Sequence, residues 1–448
     1  MEESSSTDAS ILGGITMHKL TGRLSRLALS GALSLGLATT AVGAAQAVDI
    51  KFWNLTNVGY PEYIAMAAAE YKKTHPDVNI IFEQFPNEAY KTAIQVALSG
   101  SEPPDVFFNW AGEDSARLVR DGLALDITQY GSAPGGFKQY LSEVWLSAFE
   151  YDGKNYGLPT DAVSKYFYYD KAFFADNKLE VPTTFEGLLG LCKAIRAVDP
   201  AVVPWPLGNS ERWKLNHVIT MLNQRVLGAE ATAADYALTA PDDQLFTNPG
   251  YVEAWQKVVD LKDAGCFQDA PNATAPEATR SMFSSQVSPM IYCGTWCANI
   301  FIGEGFDNFA MFRFPTVEGG KGDPGAGFLV PQGFMVSAKT QHPAEAAAWA
   351  SFLVSDEMAA KFAEAMGAIP SNAKLIDTVK GTEQYKWIVN DIAAATGSVM
   401  VLDVLLEASV SNAYLDAGVE ILNGTKTPQQ AMEFIRGVAL EAKAKTKM

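Results

Sequence analysis

From residue 48 onward, short apolar runs alternate with longer segments of helical period. VDIKFWNLT is an apolar strand ending in polar residues, and YPEYIAMAAAEYKKTHPDV follows as an amphipathic helix closed by a proline. NIIFEQF is a second strand, EAYKTAIQVALSG a helix with Gly100 at its end, and PPDVFFNW a third strand. Strands alternating with helices predict βαβ units, an α/β fold and a largely parallel sheet covered on both faces. The strand ends at FWN and FFNW are where such sheets place ligands.

Around GKNYGLP the pattern changes. VSKYFYYDK reads as a tyrosine-rich strand, and FEGLLGLCKAIRAV, ERWKLNHVITMLNQRVLG and YVEAWQKVVDLKDAG as helices, with a Pro- and Ala-rich stretch, NATAPEATR, after them. FSSQVSPMIYCGTWCANI predicts a helix end feeding a strand, then a tight turn into a helix. HPAEAAAWASFLVSDEMAAKFAEAM is helical, as is the last hundred residues. At 448 residues the chain exceeds one ordinary core, and two lobes are expected.

The N-terminus adds a destination. MHKLTGRLSR from Met17 is basic, LALSGALSLGLATTAVG is apolar and rich in small residues, and Ala45-Gln46-Ala47 makes an A-x-A cleavage site. The preceding residues are acidic and Ser-rich, which suits no signal-peptide start, so translation is expected to begin at Met17 and the mature chain near Val48. The apolar run is too short and too rich in Gly, Ala, Ser and Thr for a membrane span. No cysteine lies near the cleavage site, so no lipid anchor is expected. The protein is expected to be exported to the periplasm as a soluble monomer. A formal net charge of −17 argues against nucleic acid as a partner.

Familiar catalytic patterns do not fit. GKGDPG, from Gly320 to Gly325, matches G-x-G-x-x-G but holds a proline and opens no helix, so it reads as a loop. The chain has only four histidines, one of them (His18) in the signal peptide, which leaves His-based catalysis few candidates. Cys293 and Cys297, in YCGTWC, are close enough for a local bridge, whereas Cys192 sits in an apolar helical stretch and reads as a buried thiol. No metal or other cofactor is expected. Tyr168 and Tyr169 are neighbours on a strand and should face opposite sides, which suits a core strand better than a ferric site. Trp53, Trp110, Trp205, Trp213 and Trp296 fall at strand ends or turns beside polar residues. Each alone fits core packing. Together they suit a site that stacks apolar ring faces on indole and meets hydroxyls with carboxylates and amides, a surface that sugars offer.

GKNYGLPTD followed by YYDKAFFADNKLEVPTTFEGL, then MFSSQVSPMIYCGTW, then GFMVSAKTQHPAEAAAWASFLVS and GAIPSN, resemble in that order the extracellular solute-binding proteins of carbohydrate ABC importers, the maltose-binding-protein-like family 1. Gln286 and Pro289 depart from the family's usual Gly and Ala. The resemblance implies a periplasmic binding protein fold: two α/β lobes joined by several crossings, with a ligand cleft between them. The implied boundaries are residues 48–160 plus 309–342 for one lobe and 161–308 plus 343–448 for the other, after a cleaved 1–47. The first crossing is expected at GLPTD, the second near FDNFAMFRF and the third near SAKTQHP.

By the same resemblance Trp110 and Glu113 match a first-lobe ligand stretch, where one extra residue leaves Glu113 and Asp114 both open. Trp296 matches the second-lobe stacking tryptophan, and Glu211 and Trp213 a carboxylate and an aromatic. Asp161 would accept hydroxyls at the cleft floor, and Trp53, Asn54, Asn109 and Asn372 are candidates by strand-end or loop position. The implied function is to bind a sugar or small oligosaccharide by hinge closure and deliver it to an inner-membrane ABC permease, without catalysis. A glycerol phosphodiester, polyamine or iron on the same fold is the alternative; Lys165 and Arg212 are the cations a phosphate could use. A secreted glycosidase is the remote one.

Overall fold

The first βαβ units form as the periodicity predicts. In the computed structural model, which describes residues 47–56, 59–375 and 381–446, strand β1 (Val48–Leu55) leads through helix α1 (Tyr60–Thr74) to β2 (Val78–Phe85), and helix α2 (Asn87–Ser99) leads to β3 (Val106–Trp110). Both β2 and β3 pair with β1 in parallel. Proline in the first turn of α1 and Lys72 and Lys73 in its last suit the missing donors and the dipole at the two ends. The expected signal peptide and the Met17 start lie outside the described residues.

The other strands of the two main sheets are β4 (Gly157–Val163), β5 (Lys165–Asp170), β6 (Met290–Gly294), β7 (Phe309–Phe312), β8 (Val330–Val336) and β9 (Ile369–Pro370). The first sheet runs β9-β4-β8-β3-β1-β2 and the second β6-β5-β7. Helices that bear on the site are α3 (Glu113–Arg120), α4 (Trp213–Leu227), α5 (Cys297–Gly303), α6 (Pro343–Leu353), α7 (Asp356–Met366), α8 (Leu402–Leu405) and α9 (Ala408–Asn423).

Each sheet has its own core. Phe52, Phe107, Phe334 and Trp349 pack around the first. The second is covered on one face by Phe167, Trp205, Trp255 and Tyr414, and on the other by Tyr168, Phe283 and Phe301. Tyr168 and Tyr169 face opposite sides, as strand geometry requires: the Tyr168 hydroxyl donates to the Gly294 carbonyl at 3.0 Å, while the Tyr169 ring meets Phe174 at 4.6 Å.

The crossings differ from those expected. Val163 still pairs with Val330 in the first sheet and Lys165 already pairs with Gly294 in the second, so the first crossing is Ser164 rather than residue 160. Residues 309–312 are not first-lobe residues, since β7 hydrogen-bonds to β5; the second crossing is Leu329, between Phe328 and β8. Residues 343–370 also move. Trp349, Leu353, Met358 and Phe362 bury their side chains in the first core, and β9 pairs with β4, so the third crossing follows Pro370 rather than SAKTQHP. Apolar faces choose the core they can fill, and helix pattern alone does not say which core that is.

Other expectations need correction. The single helix read over HPAEAAAWASFLVSDEMAAKFAEAM is two, broken where the Ser355 side chain caps α7 through Met358 N–H. Cys192 is not a free thiol; it is bonded to Cys266, which ties helix Phe185–Val198 to the end of helix Pro249–Asp263. Cys293 and Cys297 are bonded to each other.

Candidate functional site

The first sheet gathers one edge of polar ends. In its register Gln332 stands opposite both Trp110 and Asp161, and Pro370 stands opposite Asp161. The carboxyl ends of β1, β3 and β4 therefore meet the start of β8. A bulge aims this edge: pairing skips Thr160 between Gln332 and Gly333. Only glycine fits at 333, because a Cβ there would lie 2.0 Å from the Leu158 carbonyl oxygen.

Asp161 is buried on this edge. Thr160 Oγ1 donates to one carboxylate oxygen at 2.8 Å and Gln332 Nε2 to the other at 3.0 Å. Burial pushes its carboxyl up to about 7, against the pull of those two donors. Tyr60 lies close enough that burial and the Asp161 charge raise its hydroxyl, while Asn54 pulls the other way. Asn54 accepts from Leu55 N–H at 2.7 Å, and its Nδ2, turned toward the Tyr60 hydroxyl, completes no hydrogen bond among the described residues. Trp53 faces away from Asn54, its ring on Phe85 at 4.6 Å and its Nε1 unpartnered. Asn109 turns from the edge into the first core, where Nδ2 meets Met335 Sδ at 3.5 Å. Asn372 is fully buried and donates to Asp356 at the start of α7, so it braces the exit of β9.

Trp110 is where the lobes meet. It packs against both cores, with Phe108 edge-on at 4.9 Å and Lys91 Nζ at 5.7 Å from its ring. Gly112 follows at φ +104, and a Cβ there would lie 2.6 Å from the Val404 carbonyl oxygen and 2.9 Å from Met400 Sδ, so α3 abuts α8 of the second lobe. Glu113 is bound by Arg120 of its own helix. Asp114 takes the other direction: burial raises its carboxyl to about 6, Arg117 and Lys91 lower it, and Asp403 of α8 adds to the rise. The two acids left open by the extra residue thus separate by neighbourhood.

Across the cleft, α4 presents Trp213 and, one turn on, His217. Trp213 Nε1 donates to Glu211 Oε2 at 2.6 Å, which fixes the indole, and its ring lies 5.1 Å from His217. His217 packs on Phe328 at 5.1 Å and reaches Asp403 Oδ1 at 3.5 Å. Burial, then the Lys165 charge, push His217 down, so it is neutral near pH 7. Burial would raise Asp403, but His217 and Lys91 outweigh it and keep the carboxylate ionised. Lys165, first residue of β5 beyond the crossing, is buried with no hydrogen-bond partner for its Nζ among the described residues, 4.9 Å from the Trp213 ring, 5.2 Å from Tyr292 and 5.9 Å from Phe328. Among the described residues His217 Nδ1, the Tyr292 hydroxyl and Asp403 Oδ1 also lack hydrogen-bond partners.

Trp296 stands elsewhere on the second lobe. Its indole covers Gly294, where a Cβ would lie 1.8 Å from the ring, and the Cys293–Cys297 bond brackets it in sequence. It lines a cavity of about 380 Å³ with Asn299 and Tyr385 on one side and Gly59, Met366 and Gly367 on the other. His217, Asp403 and Tyr292 were not foreseen. A helical i, i+4 step from Trp213 marks His217, but the other two are brought in by the fold. Among the described residues no group of three or more His, Cys, Asp and Glu could hold a metal, and no helix is long and apolar enough to cross a membrane.

Residues 66–386 match the model of the bacterial extracellular solute-binding protein family. An uncharacterized ABC transporter extracellular-binding protein of Pyrococcus horikoshii is 24% identical over 292 residues, 64% of this chain and 64% of that one. A maltotriose-binding protein of Pyrococcus abyssi is 32% identical over 139 residues, 31% of this chain and 29% of that one. These matches thus span less than two thirds of either relative's length. A solved structure from work on xylan utilization by Caldanaerobius polysaccharolyticus is similar with a TM-score of 0.80 and 26% identity, covering 87% of this chain and 99% of that one.

Proposed function

The chain belongs to the bacterial extracellular solute-binding protein family, and from that premise we propose that it is the periplasmic receptor of an ABC importer for a sugar or small oligosaccharide. The observation that carries this reading is Trp110, packed against both cores, together with Trp213 of the second lobe and the buried polar atoms around it that have no hydrogen-bond partner among the described residues: Lys165 Nζ, His217 Nδ1 and the Tyr292 hydroxyl. Such atoms cost stability until something hydrogen-bonds to them. A ligand with flat C–H faces and a rim of hydroxyls supplies stacking and partners together. A related protein that binds maltotriose supports the same class.

Trp110, Trp213 and Trp296 are proposed to stack on the sugar, and Asp161, Asp114 and Asp403 to accept its hydroxyl hydrogens, with Asn54 donating. Glu113 and Glu211 act one step back, the first held by Arg120 and the second orienting Trp213. Asn109, Asn372 and Trp53 support the frame. Closure follows from differential contact: a ligand that touches both walls only when they meet favours the closed state. The receptor is proposed to release unchanged sugar to an inner-membrane permease, as an exported monomer that catalyses nothing.

A thermal-shift panel tests this. It would hold neutral mono- and oligosaccharides and sugar acids, with glycerol phosphodiesters, spermidine and ferric citrate as outsiders. A ligand at about a thousand times its Kd stabilises by roughly 4 kcal/mol. A shift with a sugar that is lost in Trp213→Ala is expected; shifts only with outsiders would leave the fold and sink the sugar.

A further inference from the structure

Lys165 and Lys214 are both buried, and among the described residues neither makes an ion pair. Lys214 Nζ meets only Cys293 Sγ at 3.8 Å and the Trp213 ring at 4.7 Å. Of the nearby anions, Glu211 is held by the Trp213 indole and Glu277 by Arg280 at 2.7 Å, while Asp403 acts on Lys165 by its charge without forming an ion pair with it among the described residues. Arg212, the other cation a phosphate could have used, is paired with Asp416 at 2.6 Å on the surface.

From this arrangement we propose that the ligand is an anionic sugar, carrying a uronic-acid carboxylate, and that Lys165 is the specificity residue that receives it. The inference rests on the sugar-receptor reading above. An amine held among Trp213, Tyr292 and Phe328 could carry its charge with only partial compensation from ring faces, since it lacks the hydrogen-bonded anion that burial of a charge calls for. A neutral sugar leaves that deficit in place. A carboxylate removes it, and it is flat enough to lie beside the Trp213 ring while the sugar's hydroxyls meet His217, Tyr292 and Asp403. A phosphate, doubly charged, calls for more donors than a single lysine presents.

The surroundings add an independent consequence. Burial first, and then the neighbouring Lys214, push the Lys165 amine well down, opposed only by Asp403, while His217 is neutral. An arriving carboxylate favours the charged ammonium, so binding draws a proton from solvent.

The test measures binding to the purified protein by calorimetry, with three arms: di- and trigalacturonate and glucuronate-terminated xylo-oligosaccharides, their neutral counterparts, and sugar phosphates. Saturable binding in the first arm is expected, weaker by about tenfold to a hundredfold for the neutral sugar of the same length. Lys165→Met keeps the aliphatic stem and should lose that preference, its affinity for the uronate falling to that for the neutral sugar of the same length measured on the same variant. Net proton uptake at pH 8, read from two buffers of different ionisation enthalpy, checks the wild-type protein without any variant. Binding of neutral sugars alone overturns the inference and leaves the sugar receptor standing. Binding of sugar phosphates alone overturns both. Absence of uronate binding, or uronate binding unchanged in Lys165→Met with no proton uptake, also overturns it.

Discussion

A carboxyl stripped of water and left with two donors, as Asp161 is, titrates late. Its folded value of about 7 lies above the unfolded value of about 3.9, so the folded state holds the proton longer. Stability is then fully present below about pH 4 and falls as pH rises toward 7. Asp161→Asn cannot ionise, although it exchanges one accepted hydrogen bond for a donor facing Gln332. Urea unfolding is expected to show the difference between variant and wild type moving in the variant's favour by about 2 kcal/mol from pH 5 to pH 8; a difference that stays constant would mean Asp161 is ionised throughout. The residue type and its likeness to a family position were readable from GLPTD, but not its late titration. That comes from Thr160, Gln332 and the absence of water, none of which a linear pattern contains. Trp213 makes the same point. Its sequence neighbours suggested a contact residue, whereas the Glu211 bond that orients it required coordinates.

At the scale of elements, the bulge between β4 and β8 depends on one missing methyl group. Gly333→Ala would set Cβ 2.0 Å from the Leu158 carbonyl, and the strands must part to admit it. A loss of about 2–4 kcal/mol in chemical denaturation is expected, together with loss of ligand binding as Asp161 moves. The Cys192–Cys266 bond joins residues 74 apart. Converting both to alanine should cost about 2–4 kcal/mol, a drop that reduction by dithiothreitol should reproduce in a Cys293→Ala/Cys297→Ala background. A protein unchanged by either treatment would show that the two sulfurs are not bonded in solution. The alternation of periods located β1, α1, β2, α2 and β3, because each buries a face of its own. It did not split α6 from α7, since an apolar stripe runs through both and only the Ser355 cap interrupts it. Nor did it assign them to the first lobe, since Trp349 and Phe362 would satisfy any apolar core of suitable shape.

For the whole molecule, Gly112 lies against Val404 and Met400, so the two lobes touch there, and the proposed closure would press on this contact. Gly112→Ala places a methyl group 2.6 Å from a carbonyl across that contact, and φ +104 is already costly for alanine. The variant should fold yet resist closure. Small-angle scattering with saturating ligand is expected to give a larger radius of gyration than wild type, with weaker binding; identical radii would mean this contact does not limit closure. What the sequence determined alone is the local grammar: alternating strands and helices, an α/β chain of two cores, and a resemblance to extracellular solute-binding proteins. These properties are written in periods of two and 3.6 and in short motifs, which survive without distant contacts. The tertiary structure decided where the chain crosses between lobes, that Glu113 is held by Arg120 while Asp114 lies near Asp403, and that Lys165, His217, Tyr292 and Asp403 are neighbours. Residues more than a hundred positions apart become neighbours only through packing, and the loss of water they suffer there, rather than their identity, determines their charge and their chemistry.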